Sequence, residues 1–151
     1  MKALEFDGMA PGTGDAYFAA LRITLAYTAL EALESALQAR GNITLVDSDT
    51  AAHIRSDSYR KFRETLIESV SNSNGKAQRA DLRALFDGDT DDLRPLVYSI
   101  RNLMCHGTLT AERLTLSTSK LRRDRLHNLA DLVLEATDTR FSVFVAKGKW
   151  K

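Results

Sequence analysis

From Asp15 to about Ala39 the chain offers one long run with helical spacing, with Asp15 suited to cap its start and Gly41-Asn42 suited to end it. Phe18, Leu21, Leu25, Leu30, Leu33 and Leu37 recur at that spacing, which predicts that they turn inward. Alanine is frequent throughout, favouring helix and close contact between helices. A strut of this length belongs at the centre of the core, and with the helical segments that follow the reading is all-α, a bundle of four to five helices. Tyr27, Glu31 and Glu34 interrupt the strut on a neighbouring face. Their carboxylates read as solvated, the alternative being that one orients a charged residue across a helix interface.

The remaining segments are punctuated by glycine and asparagine. Residues 1 to 13, holding Gly8, Pro11 and Gly12, read as a loose arm, and 41 to 50 as a connector from which Ile43, Leu45 and Val46 tuck against the bundle. A second helix is expected from Ser56 to Val70, with Tyr59, Phe62, Leu66 and Val70 as its stripe. Ser71-Asn72-Ser73-Asn74-Gly75 breaks it, and a shorter helix runs from Lys76 to Phe86, ended by Asp87-Gly88. Lys76, Arg79 and Arg83 share one face of that helix, where they could touch an RNA backbone or serve as its wet side.

The next helix starts near Asp91 or Asp92, carboxylates suited to a helix N-terminus, with Pro95 tolerated in the first turns. Its apolar face is Leu93, Leu96, Val97, Ile100, Leu103 and Met104, and Gly107 supplies the stop. Thr108 to Leu116 reads as an extended loop or short strand. Ser117, Thr118 and Ser119 offer a cap for a last helix over Lys120 to Thr139, with Leu121, Leu126, Leu129, Val133 and Ala136 facing inward. Phe141 to Val145 alternates as a strand would, pairing with 114 to 116 as a short C-terminal β-hairpin. Lys147-Gly148-Lys149-Trp150-Lys151 ends the chain as a basic tail with one aromatic.

With 151 residues the chain is most economically one domain, able to build a core without metal or disulfide support. Lys and Arg number 21 against 20 Asp and Glu, a net charge of +1, so no global basic field draws it to nucleic acid. Any such contact must be local. One cysteine excludes an intrachain disulfide and points to a reducing compartment. No long apolar run and no apolar signal core are present, which gives a cytoplasmic reading. Asn42-Ile43-Thr44 is a sequon without consequence in that compartment.

The chemistry concentrates in Ile100-Arg101-Asn102-Leu103-Met104-Cys105-His106-Gly107. At roughly 100° per residue, Asn102 and His106 lie almost one above the other, and Arg101 stands about 140° from His106, within reach for a long side chain. A guanidinium can hold a phosphate by paired hydrogen bonds, and an imidazole can move a proton near neutral pH. Cys105 beside His106 invites a thiol-nucleophile reading, but adjacent helical residues diverge by about 100°, so a buried structural thiol is expected. His53, His106 and His127 have no metal-ligand spacing, and Gly8, Gly12 and Gly14 form no phosphate-cradling loop. No metal and no nucleotide cofactor are expected.

The segment resembles the HEPN family, whose signature is an Arg, then a polar residue that is often Asn, then a His a few residues on, matched here by Arg101, Asn102 and His106. The resemblance covers roughly residues 15 to 140, and its specific part is 100 to 107. It implies a HEPN-like helical bundle and a metal-independent endoribonuclease in which the RNA 2′-hydroxyl attacks the adjacent phosphate to leave a 2′,3′-cyclic phosphate. His106 would transfer the proton, Arg101 oppose charge on the phosphate oxygens, and Asn102 hold the imidazole or a phosphate oxygen. Family members usually bring two motifs together, so a homodimer with a composite site is implied, in a toxin or defence role with an antitoxin or regulatory protein as further partner. Where some HEPN toxins carry a modifiable Tyr two residues after the His, this chain has Thr108, which puts partner-mediated adenylylation in doubt. The competing reading is a non-catalytic HEPN-like dimeric binding or scaffold module.

Overall fold

The computed structural model describes residues 12–38, 43–71, 75–107 and 119–148. Within them the fold is all-α: α1 (Thr13–Ala36), α2 (Ser48–Arg55), a 3-10 turn (Asp57–Tyr59), α3 (Arg60–Ser71), α4 (Lys76–Asp87), α5 (Arg94–Cys105) and α6 (Lys120–Ala146). That is six helices among the described residues, against the four to five expected. The extra one is α2, which the connector reading missed because Ser48 to Arg55 carries few apolar residues. What makes it a helix is its cap. Asp47 stands extended and its Oδ1 accepts from the backbone N–H groups of Asp49 and Thr50, both at 3.1 Å.

α1 is the strut, but it is rotated relative to expectation. Its buried face is Ala16, Ala19, Ala20, Ile23, Ala26, Tyr27, Leu30 and Glu34. Phe18, Leu21 and Leu25 point outward, Leu25 being 62% exposed, and only Leu30 of the expected set is fully buried. The physical reason is closeness of packing: alanine at the contact lets a neighbouring helix approach to the short end of the usual 8–10 Å range, where leucine would hold it off. The neighbour is chiefly α6, the most extensive helix pair, with α5 second. Phe18 stacks against His127 at 5.8 Å and Arg22 pairs with Asp131, while Leu37 borders the same cavity as Val143 and Phe144. This nearly constant offset in number means that α1 and α6 run parallel.

The 3-10 turn and α3 bury Tyr59, Phe62, Leu66 and Val70 as their spacing requires. In α4, Gly88 closes the helix in the left-handed conformation at φ 93°, which the missing side chain permits. α5 buries Leu96, Val97, Ile100 and Leu103, with Leu93 buried just before it and Pro95 in its first turn. Its start is fixed from a distance. Asp92 Oδ1 accepts from Arg94 N at 3.0 Å and from Leu45 N at 2.9 Å, and Leu93 N donates to Leu45 O at 2.8 Å. Arg55 adds Nε to Leu85 O at 2.8 Å and Nη2 to Asp91 Oδ1 at 2.8 Å, tying α2 to the end of α4 and the approach to α5.

α6 starts at Ser119, whose hydroxyl accepts from Arg122 N, and continues to Ala146. The expected strand at 141 to 145 is therefore helix, and Leu121 is exposed rather than inward. Alternation of branched and aromatic residues suits a strand only when a partner strand is available; here the helix simply continues. Residues 114 to 116, the other half of the expected hairpin, lie outside the described residues, as do the arm 1–11, the helix stop at 41–42 and the end 149–151. α1 ends earlier, with Leu37 as its cap and Gln38 at φ 52°. No helix among the described residues is long and apolar enough to cross a membrane.

Candidate functional site

Arg101 and Asn102 sit in the last turn and a half of α5, and His106 caps the helix, its backbone N–H donating to Asn102 O at 3.0 Å. Gly107 follows at φ 65°, a turn that suits glycine and lets the chain leave sharply. Arg101 and Asn102 are half-buried, and Cys105 and His106 are exposed. The expectation of a buried Cys105 is thus corrected: at the C-terminal end of α5 the core has run out, and the thiol faces solvent.

The Arg101 guanidinium is held on two sides. Nη2 donates to Glu31 Oε2 at 2.7 Å across the α1–α5 contact, and Nη1 donates to Asn102 Oδ1 at 2.6 Å. Its Nε is buried and has no hydrogen-bond partner among the described residues. Glu31 is therefore a partner of the motif arginine, which corrects its reading as a solvated carboxylate. Glu34 is corrected more strongly, being 2% exposed and receiving Arg94 Nη1 and Nη2 at 2.7 and 2.6 Å. That hydrogen bond to Glu34 holds Arg94 above its ordinary value, against the opposing effect of burial.

Beside this pair lies a cleft of about 560 Å³ lined by Tyr27, Glu31 and Glu34 of α1, Asp81 of α4, Asp92, and Arg94, Pro95 and Tyr98 of α5. Tyr27 and Tyr98 stack tilted at 5.9 Å, and Arg94 lies 5.7 Å over the Tyr27 ring. Burial pushes the Tyr27 phenol up to about 12, Glu31 and Glu34 adding to the shift and Arg94 opposing it. Four carboxylates against one guanidinium give the cleft a negative lining.

Of the α4 stripe, Lys76 and Arg83 are exposed and Arg79 half-buried, its Nε enclosed without a partner among the described residues. A basic contact between two distant segments went unnoticed in the sequence. Arg122 Nη2 donates to Ser58 O at 2.6 Å and its guanidinium lies 5.6 Å over the Tyr59 ring. Arg125 also donates to Asp49 Oδ2 at 2.9 Å and to His53 Nε2 at 3.1 Å, and His53 Nδ1 faces Asp49 O at 2.9 Å. The signal available beforehand was Lys120-Leu121-Arg122-Arg123-Asp124-Arg125 at the start of a helix. Arg101 and Asn102 are joined by a side-chain hydrogen bond, His106 follows them on the same helix end, and the α4 stripe and the Arg122 contact stand on other elements.

No family model, curated protein or solved structure matches the chain.

Proposed function

We propose that the protein is a metal-independent endoribonuclease of HEPN type, acting in the cytoplasm, with Arg101, Asn102 and His106 as its catalytic residues. The observation that carries this reading is the arrangement at the end of α5: a guanidinium fixed on two sides by Glu31 and Asn102, and an exposed imidazole one turn on. In the reaction His106 accepts the 2′-hydroxyl proton, the 2′-oxygen bonds to the neighbouring phosphorus, and the bond to the 5′-oxygen breaks. The products are a 2′,3′-cyclic phosphate and a 5′-hydroxyl, the proton passing to the departing oxygen. Arg101 opposes the charge that grows on the phosphate oxygens, an electrostatic contribution of about 3 kcal/mol when one such donor is lost elsewhere. Basic residues of α4 (Lys76, Arg79, Arg83) supply backbone contacts for the flanking RNA.

The test is incubation of the purified protein with several single-stranded RNAs in EDTA, alongside Arg101→Ala and His106→Ala. Turnover that both substitutions reduce by a hundredfold or more, on the order of 3 kcal/mol, supports the proposal. Absence of turnover by the wild type, or turnover indifferent to both changes, rejects it.

A second reading, a HEPN-like binding module that cuts nothing, draws on one observation. Glu31 already neutralises Arg101, and the adjoining cleft is acidic, an environment suited to a cationic partner group rather than to a polyanion. Intact binding to a partner with no RNA turnover favours this alternative.

A further inference from the structure

We infer that the cleft between α1, α4 and α5 binds an organic cation, an alkylammonium or guanidinium group that lies on Tyr98 beside Asp81 and Asp92. At about 560 Å³ the cleft falls within the ordinary range of small-ligand sites. Its charge is not balanced from within. Glu34 is paired with Arg94 and Glu31 with Arg101, which leaves Asp81 and Asp92. Asp81 makes no ion pair or hydrogen bond among the described residues. Asp92 spends Oδ1 on the backbone N–H groups of Leu45 and Arg94, and its Oδ2 has no partner there. Two uncancelled carboxylates in a concave site concentrate cations and repel anions, an RNA backbone included.

The aromatic wall is a separate observation, and it selects the kind of cation. Tyr27 and Tyr98 stack tilted at 5.9 Å, but Tyr27 is 2% exposed and Tyr98 37%, so the second ring still presents surface. The chain's own Arg94 illustrates what such a wall holds. Its guanidinium lies 5.7 Å over the Tyr27 ring while Nη1 and Nη2 donate to Glu34. Tyr98 with Asp81 and Asp92 offers the same combination of ring face and carboxylate to a group from outside. A metal ion is a poorer match, because no three candidate ligands among the described residues come close enough to share one. The inference deepens the binding-module reading by naming its ligand class, and it needs nothing from the nuclease reading. Cation binding and RNA turnover are separate measurements, so either can fail alone.

Isothermal titration calorimetry on the full chain tests the site with one chemistry from two sources. Agmatine stands for a free small cation, and a glycine-flanked arginine peptide blocked at both ends stands for a side chain of a protein partner. The same peptide with citrulline in place of arginine is the uncharged control. The expected result is a dissociation constant below about 1 mM for at least one cationic probe, and no binding of the citrulline peptide. Asp81→Asn and Tyr98→Leu each weaken binding about tenfold, while Tyr98→Phe, which keeps the ring, stays within about twofold of wild type. Asp138→Asn, an exposed carboxylate of α6, leaves binding unchanged. Tighter binding of agmatine assigns the site to a free cation, and tighter binding of the arginine peptide assigns it to a partner's side chain. Asp81 and Tyr98 are both exposed, so unchanged helicity by circular dichroism accompanies the loss of binding. Should Tyr98→Leu fail to fold, Asp81→Asn is read in its place. Absence of binding by both cations overturns the inference, as does equal binding of the citrulline peptide or binding indifferent to the Asp81 and Tyr98 substitutions.

Discussion

Arg101 of the motif helix and Glu31 of the central strut meet at 2.7 Å, with both side chains about one-third exposed. A pair so placed contributes little to folding, up to about 1 kcal/mol, because water screens it and both long side chains lose freedom. Its larger effect is on what else the guanidinium can bind. Glu31 fixes its direction and competes with any incoming phosphate for the same N–H groups.

Glu31→Gln keeps the shape and removes the competing charge. The expected outcome is tighter RNA binding by about threefold to tenfold at low salt, shrinking as salt rises, with unfolding stability lowered by less than about 1 kcal/mol. Fluorescence anisotropy with labelled RNA and urea unfolding measure the two effects. Weaker binding would show that Glu31 acts on the RNA only by holding Arg101 in place.

The Glu34–Arg94 pair behaves differently because it is enclosed. Arg94→Met removes the charge partner of a carboxylate that is 2% exposed, leaving it the Ile43 N–H at 3.4 Å, and also removes the donor to Ile43 O at 2.8 Å. A loss of about 3–5 kcal/mol is expected by chemical denaturation, enough to threaten the fold at ordinary temperature. Glu34→Leu combined with Arg94→Met should recover much of it, since two apolar groups leave no charge behind. A single Arg94→Met variant as stable as wild type would contradict the burial of Glu34.

Asp47 gives the fold an acid-sensitive element. The Thr50 hydroxyl, donating at 2.7 Å, is the largest cause holding its carboxyl below the ordinary 3.8, and the two backbone donors of the cap add to it. A depressed value in the folded state means that the stabilisation is present above 3.8 and is lost as pH falls through the lower folded value. Asp47→Ala should therefore cost about 1 kcal/mol at neutral pH, and the difference from wild type should narrow below pH 3.8. Urea unfolding of both proteins across the acid range checks this, and a gap constant with pH would remove the carboxylate from the explanation.

Much of this was legible in the sequence where one local rule decided the outcome. Asp87-Gly88 ended α4, Ser119 capped α6, and Tyr59, Phe62, Leu66 and Val70 went inward because each segment had a single apolar stripe. α1 has two such stripes, the buried one setting four alanines beside Ile23, Tyr27 and Leu30 and the exposed one led by Phe18, Leu21 and Leu25, and hydrophobicity alone favours the large residues of the second. The choice between them is made by how closely α5 and α6 approach, which no local pattern contains. The site divides in the same way. Arg101, Asn102 and His106 are contiguous and could be read together, whereas Glu31 joins them from 70 residues away and only the helix crossing shows it. The contact of Arg122 with Ser58 and Tyr59 was hidden by the same separation, 64 residues from Ser58 to Arg122.

The far half of α6 has a thermodynamic consequence of its own. From Leu134 to Gly148 no residue is fully buried, Ala136 packing against the core from a partly buried position. Opening this segment exposes little new apolar surface, so its amides should exchange with solvent well before those of α5 and at a far smaller free energy than global unfolding. A protease acting on the native protein would then trim α6 from its end and stop where Val133 and Ala130 enter the core, leaving a shorter domain that still holds the motif helix in place.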